Sequence, residues 1–144
     1  NKNCIIRIGV VLSKDGGALK RLLPLFRFGL GSAVGSGKQY MPWIHIGDLV
    51  SVFHEALFNY SGIYNAVSPE ETTNQSFSKQ LAKSLSKPFF IPNVPTFILK
   101  LVFGEMAKVL LEGSRVSSQK LINNGFQFQF PTLNQAIKDI VSKK

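Results

Sequence analysis

The 144-residue sequence is poor in cysteine, histidine and acid: it holds one Cys, two His, and eight Asp and Glu against 17 Lys and Arg. A single Cys4 has no partner for a disulfide within the chain and suits a reducing compartment, so a cytoplasmic location is expected. Two histidines, with no Cys or carboxylate at ligand spacing around them, do not make a metal site. No apolar run approaches the roughly 18 residues a membrane span requires. Phe97 to Phe103 comes nearest, and Lys100 interrupts it, so no membrane partner is expected. Gly-x-Ser-x-Gly is missing, and none of Tyr40, Tyr60 and Tyr64 is followed by x-x-x-Lys. No complete catalytic constellation is present, and no catalytic residue is assigned.

The formal charge is +9. Its cations are scattered: no Lys/Arg run is longer than Lys143-Lys144, and no basic stripe alternates with aromatics, so nucleic acid is not an expected partner. A solvated basic surface or a phosphate-bearing ligand accounts for the excess. The chain does not start with Met, and Asn1-Lys2-Asn3 leads straight into apolar Cys4-Ile5-Ile6. It reads as a chain cut just before a strand.

Cys4 to Leu12 is nearly continuous Ile, Val and Leu, the pattern of a strand buried on both faces of a parallel sheet. After a Ser13–Gly17 loop, Leu19, Leu22, Leu23 and Phe26 recur at helical spacing, with Pro24 expected to kink or end that helix. The stretch Met41-Pro42-Trp43-Ile44-His45-Ile46-Gly47-Asp48 is a hinge: a short strand turning into a helix. Asp48 is expected to cap that helix, and Leu49, Phe53, Ala56 and Leu57 to form its buried stripe. Ile63 to Val67 reads as a second buried strand. Thr72 and Gln75 have capping-box spacing before a helix carrying Phe77, Leu81 and Leu85. From Pro95 on the chain is helical, with Gly104 a break, Gly113 a helix cap, and Ser117 capping a short helix. Phe126, Phe128 and Phe130 alternate as in an extended segment with one buried face. Arg7, inside a strand pattern, is expected to be paired or to reach a strand end.

The glycine-rich stretch Gly29 to Lys38 fits neither nucleotide pattern. Gln39 stands where a Walker loop needs Ser or Thr, and Gly29, Gly31 and Gly35 have one residue too many for Gly-x-Gly-x-x-Gly. It is either a flexible loop with positive-φ turns or a cover over a ligand's polar end, with Lys38 as the cation.

Several motifs occur in a fixed order. Arg7-x-Gly9-Val10-Val11-Leu12 precedes Gly16-Gly17-Ala18, Leu23-Pro24-Leu25-Phe26 and Gly35-Ser36-Gly37. Pro42-Trp43-Ile44-His45-Ile46-Gly47-Asp48-Leu49 and Tyr64-Asn65-Ala66-Val67-Ser68-Pro69 follow. This succession resembles the second half of the atypical extended short-chain dehydrogenase/reductases (SDRs), the YfcH-like group of NAD(P)-dependent sugar-nucleotide epimerases. Gly104-Glu105-Met106, Leu110-Leu111-x-Gly113-x-Arg115-Val116 and Gly125-Phe126-x-Phe128-x-Phe130-Pro131 resemble that group's C-terminal helical, DUF1731-type extension. The resemblance implies an α/β chain: the C-terminal part of a Rossmann-like fold, with few parallel strands and a mainly helical substrate-side region. Residues 1–91 would complete the cofactor-binding domain and 92–144 form the extension.

The resemblance further implies NADP or NAD as cofactor in the full-length protein, touched by Arg7, Gly9, Val10 and Val11. It implies a small polar substrate near Gly31, Lys38, Gln39, Trp43 and His45. The dinucleotide fingerprint and the Tyr-x-x-x-Lys of such enzymes lie in an N-terminal half this sequence lacks. The Arg that many sugar-nucleotide enzymes carry before the Trp43-like position is replaced by Tyr40, Met41 and Pro42. Three functions follow: part of an epimerase or oxidoreductase, a cofactor-binding sensor on the same fold, or a stand-alone helical interaction module. The expected partners are a small-molecule substrate, the missing half of the chain, and a possible second copy.

Overall fold

The computed structural model describes residues 3–142, so the Lys143-Lys144 pair lies outside the described residues. Two strands open the chain, β1 (Cys4–Ile8) and β2 (Val10–Leu12), and they are one extended run interrupted at Gly9. Helix α1 (Gly17–Arg27) follows, then β3 (Trp43–His45), α2 (Ile46–Phe58), β4 (Gly62–Ala66) and α3 (Asn74–Ser84). The last third is helical: α4 (Thr96–Phe103), α5 (Met106–Leu111), α6 (Gln119–Asn123) and α7 (Leu133–Ser142). The architecture is mixed α/β with few strands, as expected.

The strands pair in parallel, but the first run changes partner midway. β1 lies beside β4, from Cys4 opposite Gly62 to Ile8 opposite Ala66. β2 lies beside β3, from Val10 opposite Trp43 to Leu12 opposite His45. The switch falls on Gly9. Its N–H donates to the Ala66 carbonyl at 3.2 Å, and the Val10 N–H donates to the Pro42 carbonyl at 2.8 Å. A Cβ on Gly9 would sit 2.8 Å from the Pro42 oxygen and 2.9 Å from Val67 Cγ1. Only a residue without a side chain lets both strands close on the same point.

The hinge forms where the sequence puts it, but its parts have other duties. The cap of α2 is His45, whose Nδ1 accepts the Gly47 N–H at 3.0 Å. Asp48 does not cap its own helix. Its Oδ1 accepts the Gln129 N–H at 2.7 Å and its Oδ2 the Phe130 N–H at 3.0 Å, so it fastens the C-terminal segment to the hinge. Leu49 and Val52 are the buried apolar positions, with Ala56 half-buried, while Phe53 and Leu57 are exposed. The helix leans on β2 and β3 through its 49, 52 and 56 positions; the expected stripe was rotated toward a flank that no described residue covers.

Three further expectations are corrected. α1 runs on to Arg27 through Pro24, and Phe28 N–H still reaches the Pro24 carbonyl at 3.1 Å. The bond Pro24 cannot make would go to the carbonyl of Lys20, an exposed residue. The capping box of α3 is Thr73 with Ser76, not Thr72 with Gln75; Thr72 instead accepts the Trp43 Nε1–H at 3.0 Å. The apolar first strand is not buried on both faces: Val10 and Val11 are half-buried and Leu12 buried, whereas Ile5 and Ile8, on opposite faces of β1, are 56% and 47% exposed.

Three apolar clusters share the interior. Leu12, Leu19, Phe26, Trp43, Phe77, Leu81 and Ile137 join α1, α3 and α7 across the sheet. Ile44, Val52, Tyr64, Leu121 and Phe126 fill the space under α2 and α6. Leu99, Phe103, Ala107 and Leu110 pack α4 and α5 onto Ala18 and Val34. Gly104 separates α4 from α5. Phe126, Phe128 and Phe130 alternate inward between exposed Gln127 and Gln129.

Asp48→Ala is therefore expected to cost about 3 kcal/mol, more than a lost helix cap, because two charge-assisted backbone bonds go with it. Asp48→Asn should cost less, since its amide oxygen can keep one of them. Urea unfolding of the two variants measures the difference.

Candidate cofactor and substrate groove

At the point where β1 gives way to β2, the surface is concave. One groove of about 370 Å³ runs over Ile8, Gly9, Val10 and Pro42 and is walled by Lys108, Val109, Glu112 and Ser114. A second, of about 340 Å³, shares Ile8, Gly9 and Pro42 and is walled by Arg7, Asn65, Val67, Arg115, Val116 and Ser117. The two therefore flank the same stretch of backbone, at the split between two parallel strand pairs. Crevices at the carboxyl ends of parallel strands are where α/β sheets bind ligands.

The far wall is held close by a glycine. A Cβ on Gly113 would lie 1.7 Å from the Tyr40 carbonyl oxygen. The segment after α5 thus passes directly over the segment entering β3. Glu112, not Gly113, occupies the cap position of α5.

The groove is cationic and hydrogen-bonding. Arg7 is exposed one residue from the end of β1 and makes no side-chain hydrogen bond or ion pair with a described residue, so of the two expectations, pairing or reaching a strand end, it meets the second. Arg115 Nε donates to Glu71 Oε1 at 2.7 Å. That hydrogen bond and the Glu71 charge push the guanidinium further above its already high range, so it is charged at any physiological pH. Lys108 adds a third cation and Glu112 a carboxylate. Asn65 Nδ2 donates to the Ser117 carbonyl at 3.2 Å, which fixes the amide at the groove wall.

Of the residues singled out from sequence, Arg7, Gly9 and Val10 come together here. Val11 points to the other sheet face and packs beside Ile44. Gly31 lies against the Phe26 ring and borders a separate apolar cleft between α1 and α4. Lys38 is exposed beside the Gly35–Gly37 turn, its backbone N–H donating to Ser36 Oγ at 3.2 Å. Gln39 Nε2 donates to the carbonyls of Val34 at 3.0 Å and Leu110 at 3.1 Å, tying the glycine-rich loop to α5. Asn74 Oδ1 holds the same loop by accepting the Val34 N–H. Trp43 is buried, with its N–H on Thr72. His45 is buried, stacked on Phe130 with centroids 3.8 Å apart, and its Nε2 lies 3.0 Å from Asp139 Oδ2. Because Nδ1 accepts from Gly47, the proton between His45 and Asp139 sits on Nε2. Neither Trp43 nor His45 lines the groove.

Sequence reading did not assign Asn65, Lys108, Glu112, Ser114 or the role of Arg115. Their signal was present but indirect: Asn65 and Arg115 stand inside the quoted motifs, and Gly113, read as a helix cap, instead permits the close approach to Tyr40.

Strand pairing, groove and helical tail together define the C-terminal part of a Rossmann-like, extended-SDR fold. The comparisons agree. Residues 94–140 match the family described as "Domain of unknown function (DUF1731)". The mouse epimerase family protein SDR39U1 is 44% identical over 144 residues, covering 98% of this chain and 49% of that protein. The crystal structure of the human epimerase family protein SDR39U1 (isoform 2) with NADPH superposes with a TM-score of 0.93 at 39% identity, covering 100% of this chain and 50% of that one. UDP-glucose 4-epimerase from Thermus thermophilus, in complex with NAD, shares the fold at a TM-score of 0.69 and 22% identity, over 98% of this chain and 46% of that one. The chain belongs to this epimerase family of the short-chain dehydrogenase/reductase type and corresponds to the C-terminal part of its members. It spans about half the length of the curated relatives it matches.

Gly113→Ala is expected to destabilise the fold by about 2 kcal/mol, since the Tyr40 backbone must move to admit a methyl group. Thermal unfolding of the variant checks the magnitude.

Proposed function

We propose that this chain supplies the substrate-side half of an NAD(P)-dependent epimerase- or dehydratase-type oxidoreductase acting on a sugar nucleotide or a similar small polar substrate. The observation that carries this reading is the unpaired Arg7 beside bare strand backbone at Gly9 and Val10, inside a groove with Lys108 and Arg115. The residues fit an anionic nucleotide. Cations face its phosphates, and Asn65 and Ser114 offer hydrogen bonds to hydroxyls. Gly9 itself is explained by Pro42 and Val67 packing, so its lack of a side chain is not evidence for the cofactor. A bound nicotinamide supplies hydride exchange; the residues of this chain bind and orient.

On this reading residues 1–91 complete the cofactor-binding domain and 92–144 close the groove from above. The cofactor is NADP or NAD, and NADPH in the human relative's structure favours the phosphorylated form. The lone Cys4 supports a reducing compartment such as the cytoplasm. The uncovered side of β1 argues against a stand-alone helical module. Its apolar side chains and free strand edge call for more sheet, either the other half of the family fold or a second copy.

Three measurements test this. In the intact protein, Arg7→Ala should raise the Kd for NADPH about tenfold with an unchanged melting temperature, the loss of one charge-assisted contact; an unchanged Kd would remove Arg7 and the groove from the reading. The isolated 144-residue chain should show no micromolar NADPH binding by calorimetry, because the glycine turn and helix N-terminus that hold the pyrophosphate are not in it. Ultracentrifugation of that chain should show dimers or larger species, and a clean monomer would argue that β1 needs no partner.

A further inference from the structure

The two grooves that flank Gly9 differ in the charges of their walls. The one bordered by α5 sets Lys108 against Glu112. The other has two guanidinium groups, Arg7 and Arg115, and no Asp or Glu in its wall. Glu71, the acid paired with Arg115, lines a small cleft that shares Pro42, Arg115 and Val116 with this second groove. With Glu71 counted, the Arg7 side still keeps a net positive charge and the α5 side has none.

Arg115 stands in a stretch without regular structure, residues 113–118, that is pinned on both sides of it. Gly113 is pressed against Tyr40, and Asn65 holds the Ser117 carbonyl. The Arg115 side chain is held by a single atom: Nε donates to Glu71 Oε1 at 2.7 Å. Its Nη1 and Nη2 make no hydrogen bond with a described residue, and Glu71 has no other side-chain partner among them. The terminal edge of the guanidinium, which grips a phosphate bidentately, is therefore uncommitted. The two side chains are 68% and 44% exposed, so their ion pair contributes little to stability. Its effect is to hold one end of a long, flexible side chain at the groove wall.

We infer that Arg115 and Arg7 form a two-arginine clamp for a phosphate group of the bound ligand, with Glu71 as the residue that positions Arg115. The clamp rests on the groove being a nucleotide site and adds a direction to it. The phosphate lies on the Asn65 side of Gly9, and the uncharged, hydroxyl-bearing part of the ligand lies beside Lys108, Glu112 and Ser114. A tetrahedral phosphate has oxygens enough for both guanidinium forks. The phosphate is either the cofactor's or the substrate's.

Calorimetry on the intact protein, with inorganic pyrophosphate as the probe, tests the clamp with and without saturating NADPH. Arg115→Ala should weaken pyrophosphate binding about tenfold, and Arg115→Lys nearly as much, because an ammonium has no fork. Glu71→Gln and Glu71→Ala remove the same charge, but only the glutamine keeps an acceptor for Nε. The difference between them therefore reads the positioning bond alone. Glu71→Ala should bind about threefold more weakly than Glu71→Gln at an unchanged melting temperature. That difference should vanish in the Arg115→Ala background, since Glu71 acts through Arg115. An Arg115→Ala variant that binds pyrophosphate like the wild type would overturn the clamp, and a difference at Glu71 that persists without Arg115 would overturn the positioning role. Displacement of pyrophosphate by NADPH would give the clamped phosphate to the cofactor; undiminished binding in its presence would give it to the substrate. A protein that binds pyrophosphate through Arg115 but not NADPH would refute the cofactor reading and leave the clamp standing. NADPH binding without any pyrophosphate binding would do the reverse.

Discussion

The structure depends on a buried carboxylate at its hinge. Asp48 is 1% exposed, and taking a charged group out of water costs several kcal/mol unless it is compensated. Here the N–H groups of Gln129 and Phe130 and the positive end of α2 compensate it. The arrangement fixes more than one contact. Phe130, once held, stacks on His45, and His45 reaches Asp139 on α7. Ser68 donates to the Pro131 carbonyl, and Glu70 accepts from the Leu133 N–H at the start of α7. The segment 129–139 is thereby fastened to both ends of the β3–α2–β4 unit, and α7 can pack on α3.

That fastening shapes the groove from a distance. β3 must arrive at Val10 through Pro42, and the segment beyond α5 must pass over Tyr40. Both approaches need glycine, at 9 and at 113, because carbonyl oxygens occupy the space of a side chain. The groove is thus formed by backbone closeness at two points and decorated by side chains from four elements. Its chemistry follows from which side chains remain uncommitted. Trp43, His45 and Gln39 spend their polar atoms on the protein, while the Arg7 side chain spends none on any described residue.

Element order was legible in the sequence because it follows periodicity and β-branched runs, which are local; strand pairing was not, and the run from Cys4 to Leu12 that reads as one strand changes partner at Gly9. The helix after the hinge, the alternating Phe126–Phe130 segment and the break at Gly104 are cases of this. Capping was legible only to within a residue: Thr72 and Thr73 are both able to cap, and the choice depends on Trp43, which takes Thr72. The duty of Asp48 was not legible, since its partners are 81 and 82 positions away in the chain. A pattern of carboxylate before an apolar helix looks the same whether the acceptor serves its own N-terminus or a distant strand. Of the candidate groove, Arg7, Gly9 and Val10 were legible because they lie on one extended run of chain. Its other wall comes from residues 108–117, whose approach is set by tertiary packing.

The uncovered edge of β1 constrains what can cover it. β1 presents a row of backbone donors and acceptors along one edge, with Ile5 and Ile63 exposed beside it. Such an edge is satisfied by another strand in register, so the cover it calls for is a polypeptide of defined geometry. Along α4 the backbone is already satisfied within the helix, so its exposed Phe97, Leu101 and Val102 impose no such register. The strand edge, and not the helix face, is therefore the feature that ties this chain to a particular fold partner.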